Sequence, residues 1–302
     1  MYKRQPCLLF LAAARICAAA LPQPPFGSAW RTFTGPFDSS DPRADVYYPT
    51  GLPKGRAVPL LSFSHGLLGG GDVFSSAYIP LLLQWAKYGF VIVAPRACSK
   101  GCADTCVTLP GGDPKCFGTY YEQQLRAIEW VRNGTEGDVK EFFLPLVDHK
   151  AGYGIAGHSM GGQATLFSSS GTNSTGHNIK AAVAMHPYTH AFPAPTVPFL
   201  VFTGDDDKIA PENISKRVFL TPGGVARAQR GFVNKQGANH LEPLFWNNQN
   251  ALAAYSAAWM KLYVEDVPGG VQDGINYTDL VYGGGHTSLC GGGDGMMVEC
   301  DI

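Results

Sequence analysis

Short apolar runs bounded by turn residues recur along the chain, at 58–63, 90–94, 153–156, 181–185, 198–203 and 231–235. Continuous apolar runs of this length predict strands buried on both faces, as in a parallel sheet. Two longer stretches have helical spacing. Over 120–132, Leu125, Ile128 and Val131 share one face, with Glu122, Arg126 and Glu129 elsewhere. Over 251–264, Leu252, Tyr255, Trp259 and Leu262 share one face. Strands alternating with helices predict an α/β domain with a doubly wound, mostly parallel central sheet. No internal repeat or long linker divides it. Two segments break the alternation: a cysteine-bearing loop at 96–118, and a Gly-rich tail at 268–302 that would be floppy unless pinned.

Composition changes this picture little. The chain has 302 residues and 45% hydrophobic content, enough for one core. A net charge of −1 and the absence of a basic run argue against nucleic acid as a partner. The 37 Gly and 22 Pro are scattered between apolar runs, which reads as tight turns rather than disorder.

The first 20 residues read as a secretory signal peptide, leaving 21–302 as one domain. Lys3 and Arg4 precede an apolar stretch from Cys7 to Ala14, and Ala18-Ala19-Ala20 offers a cleavage site. Arg15 and the lack of any acidic residue before Asp38 keep an organelle transit peptide, such as a plastid one, as the alternative. Six cysteines remain without the leader: Cys98, Cys102, Cys106, Cys116, Cys290 and Cys300. An even count in an exported chain predicts disulfides. Their spacing lacks the paired C-x-x-C knuckles of zinc sites. The expected pairing joins Cys290 to Cys300, pinning the tail, and leaves the other four to pair among themselves. Sequons at Asn133, Asn173, Asn213 and Asn276 fit a secreted glycoprotein.

The chemistry-bearing residues begin with Gly157-His158-Ser159-Met160-Gly161, a G-x-S-x-G stretch between a predicted strand and a predicted helix. That turn strains the backbone of Ser159, and glycine on both sides avoids clashes. The helix N-terminus favours negative charge. A serine hydroxyl needs a base, and the base needs a carboxylate to orient it. In the α/β-hydrolase fold, where this motif is the nucleophile elbow, the order along the chain is Ser, acid, His. His240 follows the run 231–235 and is the expected base. His286, in the tail, is the weaker choice. The acid is expected after 198–203, where Asp205, Asp206 and Asp207 stand together; spacing does not choose among them, and a solvated turn or a weak calcium site is the plain reading of the cluster. Met160 supplies one oxyanion N–H by position. Ser64-His65-Gly66-Leu67 resembles the His-Gly turn that supplies the other, assigned to Leu67. His65 and His158 read as structural residues flanking these turns.

These motifs together resemble the cutinase-like polyester hydrolases of the dienelactone-hydrolase branch. Gly-His-Ser-Met-Gly-Gly, Asp207-Lys208-Ile209-Ala210-Pro211 and Ala238-Asn239-His240 occur in the family's order, within about 58–264. The resemblance implies that Asp207, four residues before Pro211, is the acid. Ala258 to Lys261 and a C-terminal cysteine pair also look like the family's. Two features depart from it. Leu67 stands where the family usually has an aromatic residue, and Tyr188 where it carries Trp, so Tyr188 is the candidate for contact with substrate. The loop 96–118 is foreign to that family and would wall one side of the site. Trp85 to Pro95 fits chlorophyllases and platelet-activating-factor acetylhydrolases equally well.

The expected function is a serine carboxylesterase of cutinase or polyesterase type, working through an acyl-enzyme without cofactor or metal. Only about ten residues separate 181–185 from 198–203, too few for a helical lid; this implies an open cleft for a bulky or polymeric ester. No obligate protein partner is expected, and the chain reads as a monomer. The alternatives are a chlorophyllase-like or phospholipid-acetyl esterase, a peptidase sharing the triad, and an inactive hydrolase used as a binding module.

Overall fold

The computed structural model describes residues 21–38, 41–67, 69–98, 120–134, 137–222, 224–245, 251–285, 287–291 and 297–302. The leader, Cys102, Cys106, Cys116 and His286 lie outside the described residues.

Among the described residues, nine strands form one sheet in the order β1-β2-β4-β3-β5-β6-β7-β8-β11. The middle six are parallel: β4 (Val91–Pro95), β3 (Leu60–Ser64), β5 (Tyr153–His158), β6 (Ile179–Met185), β7 (Phe199–Gly204) and β8 (Arg230–Lys235). These are the six apolar runs, each shifted by no more than two residues at either end. Their side chains alternate between two cores. Val183 faces one together with Trp85 and Trp259, while Ala182 and Ala184 face the other with Ile128 and Leu166. A strand buried on both faces gains nothing from polar alternation, which is why the sequence shows plain apolar runs.

Helices cover both faces. α2 (Ile79–Lys87), α8 (Ala251–Tyr263) and α9 (Tyr277–Tyr282) supply the first core. α3 (Tyr120–Asn133), α4 (Gly137–Phe143), α5 (Met160–Ser168) and α7 (Glu212–Leu220) supply the second. Short α1 (Gly71–Phe74) and α6 (Gly171–Gly176) are the other α-helices among the described residues. The fold is the expected doubly wound α/β arrangement.

Three strands of the sheet carry no apolar run. β1 (Gly27–Thr34) is largely exposed and pairs antiparallel with β2 (Arg43–Thr50). β2 instead buries a charge: Asp45 accepts from Arg96 Nε at 2.9 Å and Nη2 at 2.8 Å. β11 (Met297–Asp301) adds antiparallel to β8.

The tail corrects the expectation of a segment held only by a disulfide. A hairpin of β9 (Val271–Gln272) and β10 (Ile275–Asn276) leads into α9, whose Tyr277, Leu280 and Val281 are buried, as is Leu289. α9 covers the outer side of α8. Hence α8 is buried all round from Ala253 to Lys261, not on one face. Cys290 and Cys300 form the expected disulfide. Cys98 is also disulfide-bonded.

Candidate active site

Parallel sheets bind ligands beyond the carboxyl ends of their strands, where the strand order reverses direction. Here β4 lies on one side of β3 and β5 on the other. The turn after β3 carries Gly66 and Leu67, and the turn after β5 carries Ser159. The next three strands deliver His186 after β6, Asp207 after β7 and His240 after β8. All of these sit at one edge of the sheet.

Ser159 has φ 57° and ψ −117°, a strained conformation for a residue with a side chain. Packing enforces it. A Cβ at Gly161 would lie 2.0 Å from Ser64 O, and one at Gly157 would lie 2.1 Å from Gly161 O. A Cβ at Gly66 would come within 3.0 Å of Ser159 Cβ, so the turn after β3 is pressed against the serine. Met160 opens α5, and its N–H belongs to the first turn, which has no intrahelical acceptor.

Three predicted residues meet in one hydrogen-bonded chain. Ser159 Oγ lies 2.8 Å from His240 Nε2, and His240 Nδ1 lies 2.9 Å from Asp207 Oδ2. All three are buried. Of the neighbouring aspartates, Asp205 and Asp206 are exposed, so Asp207, the one the resemblance implied, is the one of the three that is buried. Asp205 accepts from the Gly237 N–H and Asp206 pairs with Lys208. Asp207 Oδ1 accepts from the N–H groups of Ile209 and Ala210 at 2.9 and 2.8 Å. Burial alone would raise the Asp207 pKa, but hydrogen bonds from His186, His240 and Ala210 outweigh it and hold the carboxyl well below its ordinary value. An ionised carboxylate only accepts, so His240 carries its proton on Nδ1 and turns the Nε2 lone pair to Ser159.

Two supporting residues were not expected. His186 Nδ1 also lies 2.8 Å from Asp207 Oδ2. Tyr78 Oη accepts from the Gly66 N–H at 2.9 Å and lies 2.8 Å from His158 Nδ1. His158 Nε2 then lies 2.7 Å from the His240 carbonyl. A carbonyl cannot donate, so His158 carries its proton on Nε2 and Tyr78 donates to Nδ1. Burial and the nearby His240 and His186 rings push the His158 pKa well below its ordinary value, which keeps this chain of bonds neutral. His65 is buried as well, its ring nitrogens 2.7 Å from Gly66 O and 2.8 Å from Ala97 O. No local pattern in the sequence marks Tyr78, because its partners come from the turn after β3 and the end of β5.

Tyr188 is half-buried against the small cluster containing Met160 and Ala164, and its N–H donates to Ser159 O at 3.0 Å. Leu67, Ile209 and Leu241 are 54%, 54% and 46% exposed, so the turns after β3, β7 and β8 each present an apolar side chain to solvent. Among the described residues, His186, Asp207 and His240 form the one cluster with the composition of a cation site. Two ring N–H groups already fill Asp207 Oδ2, so hydrogen bonding accounts for the cluster.

The parallel sheet, the strained serine turn and the chain order Ser159, Asp207, His240 together define an α/β-hydrolase. A family model described as PET hydrolase-like matches residues 86–269, and the chain belongs to that family. Membership makes it an ester hydrolase. No curated protein matches the chain.

Proposed function

We propose that the chain is a secreted serine carboxylesterase of cutinase or polyesterase type, acting through an acyl-enzyme. The observation that carries this reading is the 2.8 Å contact of Ser159 Oγ with His240 Nε2, backed by Asp207. His240 takes the Ser159 proton as Oγ attacks the ester carbonyl. The N–H groups of Met160 and Leu67 hold the oxyanion. The C–O bond to the alcohol then breaks, and His240 returns the proton to the leaving oxygen. Water, deprotonated by His240, attacks the acyl-enzyme and releases the acid. Asp207 keeps the tautomer and stabilises the imidazolium. No step calls for a cofactor.

Residues 186–198 between β6 and β7 form no helix, which favours an open cleft without a lid. The exposed Leu67, Ile209 and Leu241 favour an apolar ester, with Tyr188 offering a ring beside Ser159. For secretion, Asn133, Asn213 and Asn276 are exposed sequons open to a glycan. Asn173 is half-buried, with Nδ2 donating to Phe167 O at 3.1 Å, and is the poorest acceptor of the four.

The test is hydrolysis of p-nitrophenyl esters together with labelling by a fluorophosphonate. The native chain should turn over and be labelled at Ser159, and Ser159→Ala should lose both while keeping its circular dichroism. An unlabelled native chain would instead mark an inactive binding module, and near-full activity of the variant would overturn the reading.

A further inference from the structure

The acid after β7 is shared between two histidines. His240 Nδ1 and His186 Nδ1 lie 2.9 and 2.8 Å from the same oxygen, Asp207 Oδ2. We infer that His186 is a positioning residue for the hydrolytic reaction, its Nδ1–H fixing the Asp207 carboxylate and drawing off part of its charge from His240. The inference rests on the proposed Ser159–His240–Asp207 chemistry.

Holding His186 in place works against folding in two ways. Its φ is 45°, a left-handed conformation that residues with side chains rarely adopt. Its Nε2 is buried without a hydrogen-bond partner among the described residues. An orphaned buried polar atom is destabilising. A leucine would fill such a site without that defect. What a leucine could not supply is the N–H to Asp207.

The tautomer follows from the carboxylate. Asp207 is ionised and only accepts, so both rings carry hydrogen on Nδ1. Each Asp207 oxygen then receives two N–H groups: Ile209 and Ala210 on Oδ1, His240 and His186 on Oδ2. Four donors leave the carboxylate one orientation. The groups facing His186 are Asp207, the His240 ring at 6.0 Å and 85°, and the His158 ring at 6.2 Å and 71°. His158 is held by Tyr78 and the His240 carbonyl. Asp205, Asp206 and Lys208 on the β7 turn are exposed.

This sharing has a kinetic consequence. A carboxylate whose charge is partly satisfied by His186 attracts the imidazolium of His240 less strongly. Without His186 the proton stays on His240 to higher pH, and the base is available over a narrower range.

The test compares His186→Leu with His186→Asn, whose amide nitrogen takes the place of Nδ1. Activity is measured per fluorophosphonate-reactive site. His186→Leu should lower kcat roughly 10- to 100-fold, the scale for losing an outer partner of a functional ligand, with KM nearly unchanged. Its acid limb in kcat/KM should move up by about one pH unit. His186→Asn should restore most of the rate and return the limb. A His186→Leu enzyme that is merely less heat-stable, with native kcat and limb per active site, would overturn the inference. So would a His186→Asn enzyme as poor as His186→Leu. If the leucine variant does not fold, proton NMR of the native chain decides. Two strongly deshielded imidazole N–H signals, both lost in Asp207→Asn, are expected, and a single one would overturn the inference. A native chain that is never labelled would mean that the hydrolase reading itself had failed, which these outcomes keep separate.

Discussion

His158 Nε2 donates to the His240 carbonyl at 2.7 Å, so the residue preceding Ser159 braces the backbone of the proposed base. The same ring is tied through Tyr78 to the Gly66 N–H, beside the proposed oxyanion donor at Leu67. Nucleophile turn, base and oxyanion turn are thus one buried network. Removing its middle member should disturb all three. Tyr78→Phe leaves the Gly66 N–H and His158 Nδ1 unpaired, which should cost about 1–3 kcal/mol for each orphaned group. Urea unfolding should show that loss, and kcat on a p-nitrophenyl ester should fall with it.

Glycine at 161 is a matter of contact, not flexibility. With a Cβ placed 2.0 Å from Ser64 O, Gly161→Ala must push α5 away from β3. Overpacking of this kind costs about 1–3 kcal/mol. The expected outcome is a lower thermal midpoint together with loss of fluorophosphonate labelling, because the move shifts Ser159 relative to His240.

The Cys290–Cys300 disulfide closes a loop with a sequence separation of 10. Chain entropy assigns a loop of that size about 2–3 kcal/mol. Cys290→Ser with Cys300→Ser should lower the thermal midpoint accordingly. Esterase activity at room temperature should persist, because α9 and Leu289 anchor the tail independently of the bond.

Acid should act on stability through Asp207. Its carboxyl is held below the ordinary 3.8, so the folded state binds that proton less readily than the unfolded chain. The resulting stabilisation is fully present above the ordinary value and is lost as pH falls through the folded one. Urea midpoints should therefore show native above Asp207→Asn at pH 7, with the gap closing as pH drops below about 4.

At the rim of the site, Leu67 is the exposed residue to vary. An aromatic pair is worth about 0.5–1.5 kcal/mol, so Leu67→Tyr should raise hydrolysis of an aromatic polyester film, relative to p-nitrophenyl acetate, by roughly 2- to 10-fold. The backbone N–H assigned to the oxyanion is unchanged. A film assay scored against the soluble ester reads the ratio directly.

The six parallel strands were legible because both of their faces are buried, so periodicity collapses into plain apolar runs. β1, β2 and β11 were not. β1 is mostly exposed, β2 places Asp45 inside, and β11 is a strand only because β8 offers it an edge. The tail read as loose because its Gly content hid Tyr277, Leu280, Val281 and Leu289, four buried side chains, three on a short helix and one in the turn beyond it. Helix α8 read as one-sided because nothing in its own spacing reports that α9 lies across it.

Sequence alone determined what is local. The serine turn depends on adjacent residues, a strand, a strained Ser159 and two small neighbours, and it can be read without the fold. The order Ser159, Asp207, His240 follows from which strand each residue ends. The tertiary structure decided what depends on encounters across strands. It buried Asp207 while leaving Asp205 and Asp206 in water, a choice that spacing could not make. It brought His186 onto the acid and Tyr78 under the turn. Hydrogen bonds of about 3 Å between residues 21 to 82 positions apart leave no periodic trace in a chain; they exist only once the sheet has brought its strand ends together.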